Sequence, residues 1–73
     1  MHFYSFWRAG YEVDGRARQS SKTHFLLEAI DDDDAIAMVA GEQYAGGETP
    51  EVAWLTTITG SLLWVTFIPA RQP

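Results

Sequence analysis

The residues best suited to chemistry are four consecutive aspartates, Asp31 to Asp34. The first and third of them and Glu42 stand at positions 1, 3 and 12 of a calcium-binding loop, whose ligands are oxygen atoms. Positions 5 and 6 are then Ala35 and Ile36, where such a loop needs an oxygen ligand and a glycine. We therefore expect no calcium site, and we interpret the aspartates as a helix cap or as a surface for a basic partner.

Ser5 and His24 form a second pair with chemical potential, because the predicted hairpin register places them opposite each other. A serine nucleophile also needs an oriented base and an oxyanion hole, and neither a nucleophile elbow nor an acid that could orient His24 is recognisable. The chain has no cysteine, and it lacks a glycine-lysine phosphate loop. We expect a protein that is not an enzyme and holds no cofactor or metal.

Aromatic residues beside cations are a third feature. The same register places Trp7 opposite Lys22 and Tyr11 opposite Arg18, a combination found on platforms for single-stranded nucleic acids. The chain has only five Lys and Arg residues against ten Asp and Glu, and its formal net charge is −5. Direct nucleic-acid binding is therefore an alternative that the overall charge opposes.

The charges are distributed unevenly, because residues 28–51 contain eight acids and no base. Such a surface attracts basic proteins over about one Debye length. The candidate acidic partner-binding residues are Glu28, Asp31, Asp32, Asp33, Asp34, Glu42, Glu48 and Glu51.

The hydrophobic pattern predicts the elements that position these residues. A strand over residues 3–13 should turn at Asp14-Gly15 into a second strand over residues 17–29, since Asp-Gly suits a two-residue hairpin loop. A helix should begin at the aspartates and end near Tyr44, and a second hairpin should turn at Gly60-Ser61. The prediction is one α+β domain spanning residues 1–73. It has ββαββ order, with a four-stranded, mainly antiparallel sheet in strand order 2-1-3-4 and one helix on one face.

A single helix cannot cover both faces of such a sheet. We expect it to cover Tyr4, Phe6, Phe25, Leu27, Trp54, Ile58, Val65 and Phe67. The opposite face would then expose an apolar patch, which usually marks an interface, and a homodimer could use it. The candidate apolar interface residues are Phe3, Trp7, Tyr11, Leu26, Leu62 and Trp64.

Residues 52–70 carry no charge over 19 positions, a length that could span a membrane. Gly60 and Ser61 in the middle of this segment predict a turn between two strands instead. The first residues lack the basic leader of a signal peptide, and the absence of cysteine is typical of a reducing compartment. We expect a cytoplasmic protein that does not enter the membrane.

The segment from Thr23 to Ala29, followed by the acids and by Ala35-Ile36, resembles a pattern in small phage and mobile-element proteins. With strands before and after it, the chain is similar to the ββαββ arrangement of some anti-CRISPR inhibitors of type I effector complexes. The resemblance covers residues 3–67 as topology. It implies a non-catalytic inhibitor that occupies a surface of a host nucleic-acid-binding complex.

The leading functional hypothesis is therefore a phage-type inhibitor whose acidic surface binds a basic groove on that host complex, where carboxylates take the place of phosphates. One alternative is a small self-associating structural or accessory protein that uses the exposed aromatic sheet face. Another is a single-stranded nucleic-acid binder.

Overall fold

The computed structural model describes residues 1–11, 17–44, 46–47 and 49–71, without the side chains of residues 11 and 17–22. Along the chain it contains β1 (His2–Tyr11), β2 (Ala17–Ala29), α1 (Asp32–Ala40), β3 (Glu51–Thr57) and β4 (Leu62–Ile68). The predicted Asp14-Gly15 turn lies outside the described residues.

The four strands form one antiparallel sheet in the order β2-β1-β3-β4, with α1 on one face. The predicted ββαββ architecture and strand order are confirmed. β1 lies inside the sheet between β2 and β3, so it aligns the two hairpins with each other.

The predicted register of β1 with β2 is wrong. Trp7 pairs with His24 rather than Lys22, and Ser5 pairs with Leu26 rather than His24. The cause is an irregularity between Arg8 and Gly10, where β2 contributes extra residues that a simple two-residue turn does not predict. The serine–histidine pair therefore does not form.

The second hairpin turns slightly before the predicted Gly60-Ser61 loop, because the Thr57 amide donates to the Ser61 carbonyl at 2.9 Å and residues 58–60 form the turn between them. Gly60 has φ +98°, a conformation that glycine adopts without strain, and the Thr57 hydroxyl accepts a hydrogen bond from the Ser61 amide at 3.0 Å. Trp54 pairs with Val65 rather than with the predicted Phe67, because the turn comes earlier in the chain than predicted. The irregularity between Leu55 and Thr56 then changes the register by one residue.

The two hairpins meet so that the side of β3 predicted to be uncovered faces the helix. Phe6 of β1 pairs with Leu55 of β3, so Leu55 and not Trp54 faces the helix. A one-residue shift moves every side chain of a strand to the other face, which reverses the predicted faces of β3 and most of β4.

The core consequently lies between α1 and the face that carries Phe6 and Leu55. Its buried members are Tyr4, Phe6, Ala29, Ala35, Val39, Ala53, Leu55 and Ile68, and Leu27, Ile36, Tyr44, Leu63 and Trp64 pack against them. Leu55 is the largest side chain that is fully buried among the described residues. The core is small, as expected for a chain of this length.

The helix begins as predicted but is shorter. The Asp31 carboxylate accepts a hydrogen bond from the Asp34 amide at 2.8 Å, and the Asp34 carboxylate accepts one from the Ile30 amide at 3.0 Å. This reciprocal arrangement satisfies amide groups that have no partner within a helix. The helix ends at Ala40 rather than near Tyr44, because the chain turns at Gly41.

Tyr44 extends the cover of the sheet beyond the end of the helix. Its hydroxyl donates a hydrogen bond to the Val39 carbonyl, and its ring stacks on Phe6 with centroids 5.8 Å apart. The side-chain donor thus joins the Glu42 amide, 3.3 Å away, in satisfying a carbonyl of the last helical turn.

Candidate functional site

The sheet face opposite α1, here called the open face, is defined by cross-strand partners, which share one side of a sheet. Along β1 it carries Phe3, Ser5, Trp7 and Ala9. Their partners complete the face, and they are Glu28, Leu26 and His24 of β2, Val52, Trp54 and Thr56 of β3, and Leu62, Val65 and Phe67 of β4.

A stack of three rings crosses the middle of the open face. The Trp7 ring lies between His24 on β2, at a centroid distance of 4.0 Å, and Trp54 on β3, at 6.0 Å. The planes are within 11° and 7° of parallel, respectively. The Trp7 indole nitrogen donates to the Thr56 hydroxyl at 3.4 Å. The stack therefore spans three strands, and Trp7 is held in place by neighbours on the two strands beside it.

This geometry disfavours a nucleic-acid platform. Such platforms offer the flat face of an aromatic ring to a base. Here both faces of the Trp7 ring are occupied, and its partner across the strand is His24 rather than a cation.

Large apolar side chains surround the stack and are exposed. Phe3, Leu26, Leu62, Val65 and Phe67 expose between 47% and 68% of their area. These five side chains form a contiguous patch rather than scattered surface residues, because the strand register places them around the ring stack. The open face carries only two ionisable side chains among the residues described, His24 and Glu28.

The predicted apolar interface is partly correct as a location. Phe3, Trp7, Leu26 and Leu62 do lie on the open face, whereas Trp64 lies on the helix side, 6.4 Å from Phe6 between ring centroids. The Tyr11 side chain lies outside the described part.

Three members of the open face were assigned to the helix side in the sequence analysis, namely Trp54, Val65 and Phe67. The pairing of β1 with β3 determines their side, and no tight turn connects these two strands. Leu62 keeps its predicted side only because the irregularity beside Thr56 shifts the register there.

The aspartates gather at one end of the molecule beside an open groove of about 620 Å³. The groove is lined by His2, Phe3, Tyr4, Asp31, Asp32, Asp33, Thr57 and Ile58. The Tyr4 hydroxyl donates to Asp32 at 2.8 Å. Burial raises the pKa of Tyr4 to about 12, and the hydrogen bond and negative charge of Asp32 add to the effect. Tyr4 is therefore a neutral donor at physiological pH and cannot act as a base.

Several of the predicted acidic residues already have structural partners. Asp31 and Asp34 cap α1, and the Asp32 carboxylate accepts a hydrogen bond from the Tyr4 hydroxyl. Glu51 forms an ion pair with Arg8 at 3.0 Å, and both side chains are largely buried. The charge of Glu51 is therefore compensated within the fold.

The acids also do not form one surface. Glu51 pairs with Gly10 at one end of β1, and Tyr4, next to Asp32, lies about 20 Å away along the same strand. Glu42 follows the C-terminal end of α1. Burial raises the pKa of Tyr44, the negative charge of Glu42 raises it further, and the positive charge of Arg8 lowers it. Glu28 is on the open face. Glu48 lies outside the described residues.

Within the described ranges, no group of three or more His, Asp or Glu side chains has the arrangement of a metal site. None of the helical segments described is long and apolar enough to cross a bilayer. Residues 52–70, which raised that question, form the β3–β4 hairpin.

Comparison of the chain with protein-family models, with curated proteins and with solved structures finds no match.

Proposed function

We propose that this chain is a non-catalytic protein-binding domain whose binding surface is the open face. The observation that carries the proposal is a nearly uncharged sheet face on which five large apolar side chains each expose about half of their area or more. A patch of this kind is unfavourable in water and is stabilised when a partner covers it. The absence of cysteine supports a cytoplasmic location.

The ring stack gives the surface a rigid centre. Binding costs the conformational freedom of the side chains that become ordered, so side chains that are already fixed lose less. Trp7 is fixed by two rings and by Thr56. Aromatic residues in such positions are the usual energetic centres of protein interfaces.

The test is a paired substitution on neighbouring residues of β2. Leu26 is 65% exposed on the open face, and Phe25 is 58% exposed on the helix side. Tagged Leu26→Lys and Phe25→Lys proteins would be compared with the wild type for proteins captured from cells, including an untagged copy of the chain. We expect Leu26→Lys to lose captured proteins that Phe25→Lys retains.

An acidic-surface inhibitor of a basic nucleic-acid-binding complex, as the anti-CRISPR resemblance implies, is the second candidate. It is favoured by the exposed Asp31, Asp32 and Asp33 along the groove. It is weakened by the internal bonds of Asp31 and Asp32. Capture that is lost with Asp33→Lys and unchanged with Leu26→Lys would support this candidate and contradict the open-face proposal.

A further inference from the structure

The described part of the chain leaves the apolar side chains of the open face uncovered. It has 73 residues, no cysteine and one helix of nine residues over one face of a four-stranded sheet. Domains of this size commonly gain stability from disulfides, metals or oligomerisation, because one small core is marginal. Disulfides are excluded by the composition.

We infer that the partner of the open face is a second copy of this chain, packed face to face in a two-fold dimer. This inference rests on the proposed function and identifies the partner. Two sheets that pack in this way lie about 10 Å apart and enclose a second apolar core. The dimer would be a four-layer molecule with helices outside and both ring stacks inside.

The exposed area agrees with what a stable dimer needs. Phe3, Leu26, Leu62, Val65 and Phe67 are about half to two-thirds exposed. With side-chain areas on the order of 150 to 250 Å² for the phenylalanines and less for the aliphatic residues, they expose roughly 500 Å² together. The partly exposed ring stack and the backbone between these residues add to this. The total approaches the roughly 800 Å² per partner of a standard interface.

The polar side chains of the open face are complementary to those of a second copy, because an imidazole can donate a hydrogen bond to a carboxylate. Its described ionisable residues, His24 and Glu28, lie on β2 at equal distances on either side of Leu26. Consider a two-fold axis that lies between the two faces, runs perpendicular to β2 and passes over Leu26. This axis brings each Glu28 opposite the other copy's His24. The open face offers few charged side chains to a charged groove on an unrelated partner. In a dimer, the Glu28–His24 contacts between the copies pair all of its described ionisable side chains.

The other acids that the structure describes lie away from the open face. Asp31 to Asp34 lie at the start of α1, and Glu51 is paired with Arg8 on the helix side. The net charge of −5 therefore acts between copies mainly from a distance, where salt screens it. Dimerisation should accordingly be stronger at higher ionic strength.

The experiment is sedimentation equilibrium of the purified chain over a range of concentrations, with three variants. Leu26→Lys and Leu62→Lys alter the open face on opposite edges of the sheet, and Phe25→Lys is the matched control on the helix side. All three positions are at least 58% exposed, so lysine is tolerated in the monomer, which circular dichroism would check.

We expect a wild-type monomer–dimer equilibrium, which each open-face variant weakens by about tenfold or more, since every substitution places two lysines in one interface. Phe25→Lys should match the wild type. Weakening by Leu62→Lys alone would indicate pairing of β4 edges and overturn the face-to-face dimer. A wild-type monomer at all concentrations would overturn the second copy as partner, whereas the proposed function would still stand if cellular capture depended on Leu26.

Discussion

Trp7 is the residue whose surroundings most affect the choice of function. A tryptophan on an exposed strand can stack on a base, on a sugar or on protein. Here its two ring faces are already covered by His24 and Trp54, so its edge is directed away from the sheet. A ring edge packs well against aliphatic and aromatic side chains, which favours a protein partner.

Tyr4 gives the clearest prediction for a single side chain. Its pKa of about 12 exceeds the ordinary value of 10.0 because the hydroxyl is buried and bonded to Asp32. The unfolded chain therefore releases this proton at a lower pH than the folded protein does. Stability due to Tyr4 is complete below pH 10 and is lost as the pH rises through 12.

Tyr4→Phe removes this contribution. We expect the variant to be less stable than the wild type at neutral pH and to lose less stability between about pH 10 and 12. Urea unfolding at a series of pH values measures both effects. Tyr44, whose pKa is also raised by burial, leaves a dependence of the same sign in the variant. Equal slopes in the two proteins would contradict the assignment.

At the scale of elements, Asp31 has a structural role at the start of α1. It is the N-cap of α1 and accepts the Asp34 amide. Asp31→Ala should lower the free energy of unfolding by about 1 kcal/mol. Asp31→Asn keeps an acceptor oxygen and should restore most of this stability, which urea unfolding would measure. If the two variants were equally destabilised, the capping role would be wrong.

The elements themselves could be predicted from the sequence. Local signals determine them: alternating apolar residues for the strands, aspartates for the start of α1, and Gly60 for the last turn. The end of α1 was predicted too late, because the stop was placed before Gly46-Gly47 whereas Gly41 already caps the helix.

The alignment of the two hairpins could not be predicted in the same way. It depends on whether Phe6 meets Leu55 or its neighbour Trp54, and both residues are apolar. Because both faces of β3 and β4 carry large apolar residues, the pattern does not distinguish the buried side from the exposed side. The open face was therefore predicted to exist, while three of its large apolar members, Trp54, Val65 and Phe67, were assigned to the wrong side.

For the whole molecule, the distribution of charge and apolar area separates two surfaces. The aspartates lie at the start of α1, and the open face carries one acid, Glu28, among its described residues. The predicted acidic surface is consequently divided into parts, and several of its members serve the fold. The open face is continuous across four strands, which is why it is the stronger candidate for binding.

The most direct test of the open face as the binding surface is isotope-filtered NMR on an equal mixture of labelled and unlabelled protein. The account predicts contacts between copies from the methyl groups of Leu26 and Val65 to protons of the other copy's open face. Phe25 and Met38, which are also exposed but lie on the helix side, should show none. Contacts between copies that involve Phe25 or Met38 and not Leu26 or Val65 would contradict the account.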